Sequence, residues 1–303
     1  AKPTTMPARS VIPGHPRKPL RTAPAARRRL GGSARQRPAA AGPRRSQRRL
    51  TTTAPDLNYR TREVIVVVKK NPYKNLAGVT PCPGGWLVLP ARLSGITVAA
   101  EEAFVLPKLF EVLDFRPTFE AAAINIPMAW FETPSGQYRP CDHEARDYVG
   151  WPRVTGIPGT PSRAAVRASS GEARRLEPWM TKHDVRRMRW LREAERELQP
   201  YHSRSFFSAN PDVSFTVMNS DEPLKTSPFH EDGRLERIEL IRERLPGVDD
   251  VITRTPPDGA GSVHMLQAGA LLFTARRASG RAINRMPLDP FWDENGMRME
   301  IVR

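Results

Sequence analysis

Apolar residues come in short, well-separated runs, and their spacing divides the chain. Val64, Ile65, Val66, Val67 and Val68 are continuous and β-branched, which predicts a strand over Glu63–Lys70 buried on both faces. Asn71-Pro72 turns the chain, and Gly78-Val79-Thr80 begins a second short strand. Pro81 to Gly85 reads as a turn, Trp86 to Leu89 as an apolar run ended by Pro90, and Gly95 to Ala100 as a further short strand. Glu101 to Phe110 has room for helical turns that Pro107 limits. Residues 59–115 therefore predict a small antiparallel β-rich domain with short helices.

From Arg116 to Ser170 no periodicity is visible, and proline, glycine and scattered aromatics dominate. This predicts an irregular, extended middle that lies along another surface. The helical period then becomes clear. Val185, Met188, Leu191, Ala194 and Leu198 form one stripe, and Thr181 with Asp184 three residues later supplies a box-like start, so a helix spans Thr181–Leu198. A second helix is expected from about Gly233 to Leu245, with Leu235, Ile238, Ile241 and Leu245 on one face and Pro246-Gly247 as the stop. Val213–Met218, Val248–Thr253 and Gly269–Thr274 read as short strands, the last two separated by a turn over Pro256–Gly261. Met286–Arg303 reads as an extended tail anchored by Phe291 and Trp292. The fold class is α+β, divided into an arm (1–58), the β-rich domain (59–115), an extended segment (116–178) and a mixed helix/strand extension (179–303).

Charge sharpens this division. Residues 1–62 hold sixteen Lys or Arg and one acid, Asp56, a net +15; the remaining 32 basic and 31 acidic residues net +1. Nine prolines and few apolar side chains leave the arm nothing to bury, so it is expected to be disordered when free. Guanidinium forks suit phosphate oxygens, so Arg27, Arg28, Arg29, Arg35, Arg37, Arg44, Arg45, Arg48 and Arg49 are candidate contacts to a nucleic-acid backbone. The arm also has the Arg-rich, Ser/Thr-bearing, acid-poor character of a mitochondrial targeting sequence, although its prolines oppose a single amphipathic helix. It is read as a mature basic tail behind a removed presequence, which points to the mitochondrial matrix.

Candidate chemistry is sparse. Neither a phosphate-binding glycine loop nor a dinucleotide fingerprint nor an HExxH pattern is present, and Cys82 and Cys141 support neither a disulfide framework nor a closed four-ligand zinc site. Cys141-Asp142-His143 and His183-Asp184 place acids beside imidazoles, but adjacency on a helix does not make a dyad. No catalytic residue, metal site, cofactor, small-molecule substrate or membrane insertion is expected. Lys69, Lys70, Lys74 and Asn75 cluster in one loop around Tyr73, which could stack on an exposed base. Arg92 could reach a phosphate, and Trp86 is expected in the core.

One segment has a familiar pattern. V-I-V-V-V from Val64, the Lys loop over Lys69–Asn75, Val79, the Gly85-Trp86 pair and Gly95-Ile96-Thr97-Val98-Ala99-Ala100-Glu101-Glu102 follow one another at the spacing of the bacterial-type large-subunit ribosomal protein nine (L-nine) family. Residues 64–102 resemble that family's N-terminal domain. They depart from it where its Arg-Asn pair falls on Val88 and Leu89, and where Pro107 and Pro117 interrupt its long connecting helix. The resemblance implies a structural constituent of a mitochondrial large ribosomal subunit that binds rRNA and neighbouring mitochondrial ribosomal proteins. The alternative is a subunit of another organellar complex, respiratory or RNA-processing, with a basic tail.

Overall fold

The computed structural model describes residues 72–303. The arm at 1–58, the strand expected over 63–70, and Lys69 and Lys70 lie outside the described residues. Eight strands and nine α-helices, with two 3-10 turns, make the described part a mixed α/β fold.

The central sheet has six strands. β1 (Lys74–Cys82) pairs antiparallel with β2 (Gly85–Ser94), the tight turn at Pro83-Gly84 joining them. β3 (Thr97–Ala100) and β4 (Phe104–Leu106) both pair antiparallel along the far edge of β2. On the other side of β1 the sense changes: β5 (Ala121–Ile124) is parallel to β1, and β6 (Phe206–Ser208) is parallel to β5. The sheet thus joins strands on both sides of residue 115. β2 also runs through Pro90, which was expected to stop it and instead sits opposite Ala77.

Period-two alternation feeds a separate core on each face of the sheet. Ala77, Val79, Trp86, Val88, Ala122 and Ile124 face one side. They meet α1 (Leu109–Leu113), α2 (Pro140–Val149), α3 (Arg163–Arg167) and α5 (Lys182–Glu197), with α4 (Ser170–Leu176) behind α3. Leu76, Leu87, Leu89, Ala91, Ala121 and Ala123 face the other. There they meet α6 (Pro211–Met218), α7 (Glu231–Arg244), α8 (Val248–Ile252) and α9 (Ser262–Ser279). Helix α9 crosses β1 so closely that a Cβ at Gly78 would lie 1.9 Å from the Ala268 carbonyl oxygen; glycine is what lets the two backbones meet.

Several expectations are corrected here. Val213–Met218 is helix α6, not a strand: Pro211 occupies its first position, and the Asn210 side chain accepts from the N–H groups of Asp212 (2.9 Å) and Val213 (3.4 Å). Gly269–Thr274 lies inside α9. That helix is apolar on nearly every side because it is buried, so the polar face that would reveal a helical period is missing. Val248–Thr253 forms α8, with Asp249 and Asp250 in its first turn. The middle segment is not extended but carries α2, α3 and α4 and the 3-10 turn Arg153–Gly156; Ser162 and Ser169 cap α3 and α4. The C-terminal stretch is a hairpin of β7 (Arg285–Trp292) and β8 (Arg298–Val302). Its anchors are Met286, Met297, Met299 and Ile301, while Phe291 and Trp292 are exposed.

The helix expected at Thr181–Leu198 is present as α5, capped by Thr181 with Asp184 completing the box. The helix expected at 233–245 is present as α7, although Leu235 faces solvent and the buried positions are Gly233, Arg237 and Ile241. Trp86 is fully buried, its Nε1–H donating to Glu193 Oε2 at 2.6 Å.

Candidate functional site

Chain direction at the sheet creates a crevice. After β5 the chain leaves towards the face covered by α2, α3 and α5; after β6 it enters α6 and the helices of the opposite face. Adjacent parallel strands whose connections part in this way leave a gap at their carboxyl ends, where open α/β sheets bind ligands. A cleft of about 440 Å³ occupies that position. Pro81 at the end of β1, Asn125 and Ile126 after β5, and Pro211 and Asp212 after β6 form its sheet side; α5, α7 and α9 close it.

Two neutral amides, Asn125 and Gln267, line the cleft, and both are tied to Thr80 behind them. The Thr80 hydroxyl is fully buried and donates to Gln267 Oε1 at 3.0 Å, while Asn125 Nδ2 donates to the Thr80 oxygen at 3.4 Å. The two amides offer donors and acceptors to a ligand and, unlike a carboxylate or imidazole, no general base.

Cations surround them. Arg153 from the 3-10 turn, Arg187 from α5 and Arg237 from α7 line the cleft with a single carboxylate, Asp212, so three positive charges against one negative leave +2. Arg153 grips Asp212 through two bonds, Nε to Oδ1 at 3.0 Å and Nη2 to Oδ2 at 3.3 Å. Gly156 makes this possible, since a Cβ there would lie 1.8 Å from Asp212 Oδ2. Arg237 is 1% exposed and is held mainly by carbonyls, Nη1 to Gly233 O at 2.8 Å and Nη2 to Thr226 O at 3.1 Å, with Asp212 more distant at 3.8 Å. Arg187 is held more loosely, by Gly159 O at 3.3 Å and by Asp184 Oδ1 at 3.6 Å. Burial pushes the guanidinium groups of both Arg187 and Arg237 below their usual range, despite Asp184 beside one and Asp212 beside the other. An anion entering the cleft would relieve that cost.

His264 at the start of α9 accepts the Gly261 N–H on Nδ1 at 3.0 Å, and burial lowers its pKa below the usual 6.5. It is therefore a neutral imidazole at pH 7 whose Nε2–H remains a donor. The rim is aromatic: Trp190 on α5 borders the cleft, and Phe229, 80% exposed, stands at the mouth.

A family model described as "Protein of unknown function (DUF429)" matches residues 78–290. The chain belongs to this family. The DUF429 match covers the second strand, the hairpin and the closing motif on which the L-nine resemblance rested, and no L-nine family match accompanies it. The resemblance is therefore set aside. Its Gly95–Ala100 motif is an ordinary two-residue turn at Gly95-Ile96 leading into edge strand β3, a pattern that many antiparallel sheets share. No curated protein gives a significant match, and neither does any solved structure.

The described residues first singled out for nucleic-acid contact lie elsewhere than the cleft of this DUF429 chain. Tyr73 precedes β1, and Lys74 and Asn75 are its first residues rather than loop residues, seven positions or about 23 Å along the strand from Pro81. Their charges are already engaged: Lys74 pairs with Glu120 at 2.7 Å, Arg92 with Glu101 at 2.6 Å, and the Arg92 guanidinium lies over the Tyr73 ring at 4.8 Å. Asn75 Nδ2 donates to Thr118 O at 3.4 Å. Cys141 is buried and its thiol is pushed up to about 12 by burial, so it is neither a thiolate nucleophile nor a ready ligand, and His143, two residues on, is exposed. Among the described residues no group of three His, Cys, Asp or Glu side chains is placed to hold a metal ion. Nor, among the described residues, is any helix long and apolar enough to cross a membrane.

The cleft arginines are hard to pick out in the sequence, because Arg187 stands among Arg186, Arg189, Arg192 and Arg196 and the acids Glu193, Glu195 and Glu197 on one helix. One signal was present: His183, Arg187 and Trp190 recur at i, i+4 and i+7, which puts an imidazole, a guanidinium and an indole on one helical face.

Proposed function

We propose that this protein is a non-catalytic binding protein whose cleft takes a phosphate-bearing ligand with a planar ring, the chemistry of a nucleotide unit. The observation that carries the reading is the cleft's composition: three arginines against one aspartate, two of them under-compensated, below an aromatic rim. Arginine forks match phosphate oxygens in geometry as well as charge. Exposed Phe229 offers a stacking face for a base, and the amides of Asn125 and Gln267 offer hydrogen bonds at the floor. The acid and base groups that line the cleft are already committed, Asp212 to Arg153 and His264 Nδ1 to the Gly261 N–H, which supports binding over catalysis. The Arg-rich arm agrees with a nucleic-acid partner. Membership of a ribosome, by contrast, has lost the motif on which it was argued, and nucleic-acid binding does not depend on it.

The test is calorimetric titration of the full chain with a nucleoside monophosphate. Arg187→Gln is expected to weaken binding at least tenfold, about 1.4 kcal/mol, without lowering Tm, because Arg187 is only loosely held. Phe229→Ala is expected to weaken it by roughly fivefold or more through lost stacking. Equal affinity for wild type and Arg187→Gln would sink the assignment.

A further inference from the structure

The wall of the cleft formed by Trp190 is shared with a second groove. Between α5, the turn Pro83–Gly85 and Pro107-Lys108 lies a depression of about 370 Å³, and Trp190 borders both spaces. Lys108, Arg189, Arg192 and Arg196 line the second groove against one carboxylate, Glu193, a net +3. Two of these arginines are fastened by carbonyl oxygens rather than carboxylates. Arg189 Nη2 donates to Cys82 O and Pro83 O, each at 3.1 Å, and its guanidinium lies 4.0 Å from the Trp190 ring centroid. Arg192 donates from Nε to Val166 O at 3.0 Å and from Nη2 to Ala168 O at 2.8 Å. Such bonds fix the side chains but leave the charge available. Glu193 is already engaged, with Trp86 on one oxygen and Lys108 3.7 Å from the other.

We propose that the cleft and this groove form one track along α5 that binds a single-stranded nucleic acid several nucleotides long. The inference rests on the nucleotide reading of the cleft and extends it. Arg187 and Arg196 are nine helical positions apart, about 13.5 Å along the axis and half a turn around it, so the track winds past Trp190 from one side of α5 to the other. At about 3.4 Å of rise per stacked nucleotide, the axial component alone spans roughly four nucleotides, more than a mononucleotide can bridge. The aromatic groups at the rim and at the junction require unpaired bases to stack on, so the ligand is a single strand and not a duplex.

The experiment measures the full chain against a mononucleotide and oligonucleotides of two, four and eight residues at fixed salt. Lys108→Glu with Arg196→Glu alters two exposed side chains of the groove. Arg175→Glu with Arg254→Glu makes the same change of charge at exposed positions lining neither space, and so controls for the basic arm. Affinity is expected to rise at least tenfold from one to four nucleotides. The groove variant is expected to lose that gain, to flatten the salt slope by about 1.4 for two phosphate contacts, and to keep its mononucleotide affinity. The control is expected to stay within threefold of wild type. A length gain that survives the groove variant, or that the control loses equally, assigns the gain to the arm and overturns the track. Absence of mononucleotide binding, with the gain still lost in the groove variant, overturns the cleft reading instead.

Discussion

Arg139 and Asp142 lie side by side in the interior at the start of α2, each with a side chain less than 5% exposed. Arg139 donates from Nη2 to Asp142 Oδ1 at 2.7 Å and from Nε to Oδ2 at 2.9 Å, and its remaining nitrogen reaches Ala129 O at 2.9 Å. Burial alone would lower the arginine's pKa, but Asp142 outweighs it and the net direction is upward. The pair is thus satisfied and inert, unlike Arg187, whose carboxylate Asp184 lies 3.6 Å away, and unlike Arg189 and Arg192, which bond carbonyl oxygens. Removing one member of a buried pair strands the other in a medium that cannot solvate it. Arg139→Met is therefore expected to cost about 3–5 kcal/mol in urea unfolding, and adding Asp142→Leu is expected to recover most of that loss. A single variant as stable as wild type would show that Asp142 is solvated in the folded state.

Helix α5 supplies residues to the cleft on one face, to the second groove on the next, and to the core through Met188, Leu191 and Ala194. Its register is set at Thr181, whose N–H and hydroxyl both donate to Asp184 Oδ2, at 2.9 Å and 2.7 Å. Thr181→Ala is expected to lower stability by about 1 kcal/mol and to weaken nucleotide binding, since His183, Arg187 and Trp190 all follow from that cap; an unaltered Tm would show that packing alone fixes the helix. This was the most legible element in the sequence because it is half-exposed: its apolar stripe and charged faces contrast. Helix α9 was illegible for the opposite reason, since burial on almost every side removes the contrast and leaves Gly269–Thr274 looking like a strand. Helix α6 was hidden by the alternation of Val213, Phe215 and Val217, although Asn210-Pro211 gave its start. The cleft could not be read at all from single elements. Its residues come from positions 81 to 267 and meet only because the chain leaves β5 and β6 towards opposite faces of the sheet.

Two cores sharing one sheet make the whole molecule sensitive to protonation at sites far apart in sequence. His202 accepts the Gln199 N–H on Nδ1 at 3.0 Å beside the first core, and His264 plays the same part for Gly261 beside the second. Burial lowers both pKa values, opposed at His202 by the charge of Asp114 and at His264 by the Gly261 backbone. In the unfolded chain both titrate near 6.5. Below that pH the unfolded state takes up protons that the folded state refuses, so stability is constant above about 6.5 and falls as pH drops towards the lower folded values. Asp249 works in a different window. Burial would raise its pKa, but Arg242 and the Gly247 N–H bring it below 3.8, so its contribution is present above 3.8 and is lost only in stronger acid. A Tm series at pH 8, 6.5 and 5.5 separates the two, because Asp249 stays ionised throughout. Wild type is expected to lose Tm only in the last interval, and His202→Gln with His264→Gln is expected to flatten that loss while lowering the plateau through imperfect replacement of the two imidazoles. A wild-type Tm that holds steady down to pH 5.5 would mean that both rings accept a proton without disturbing their backbone partners. Ligand should oppose the effect: a bound phosphate beside His264 favours its charged form, so the acid-side loss is expected to shrink in the presence of a nucleoside monophosphate.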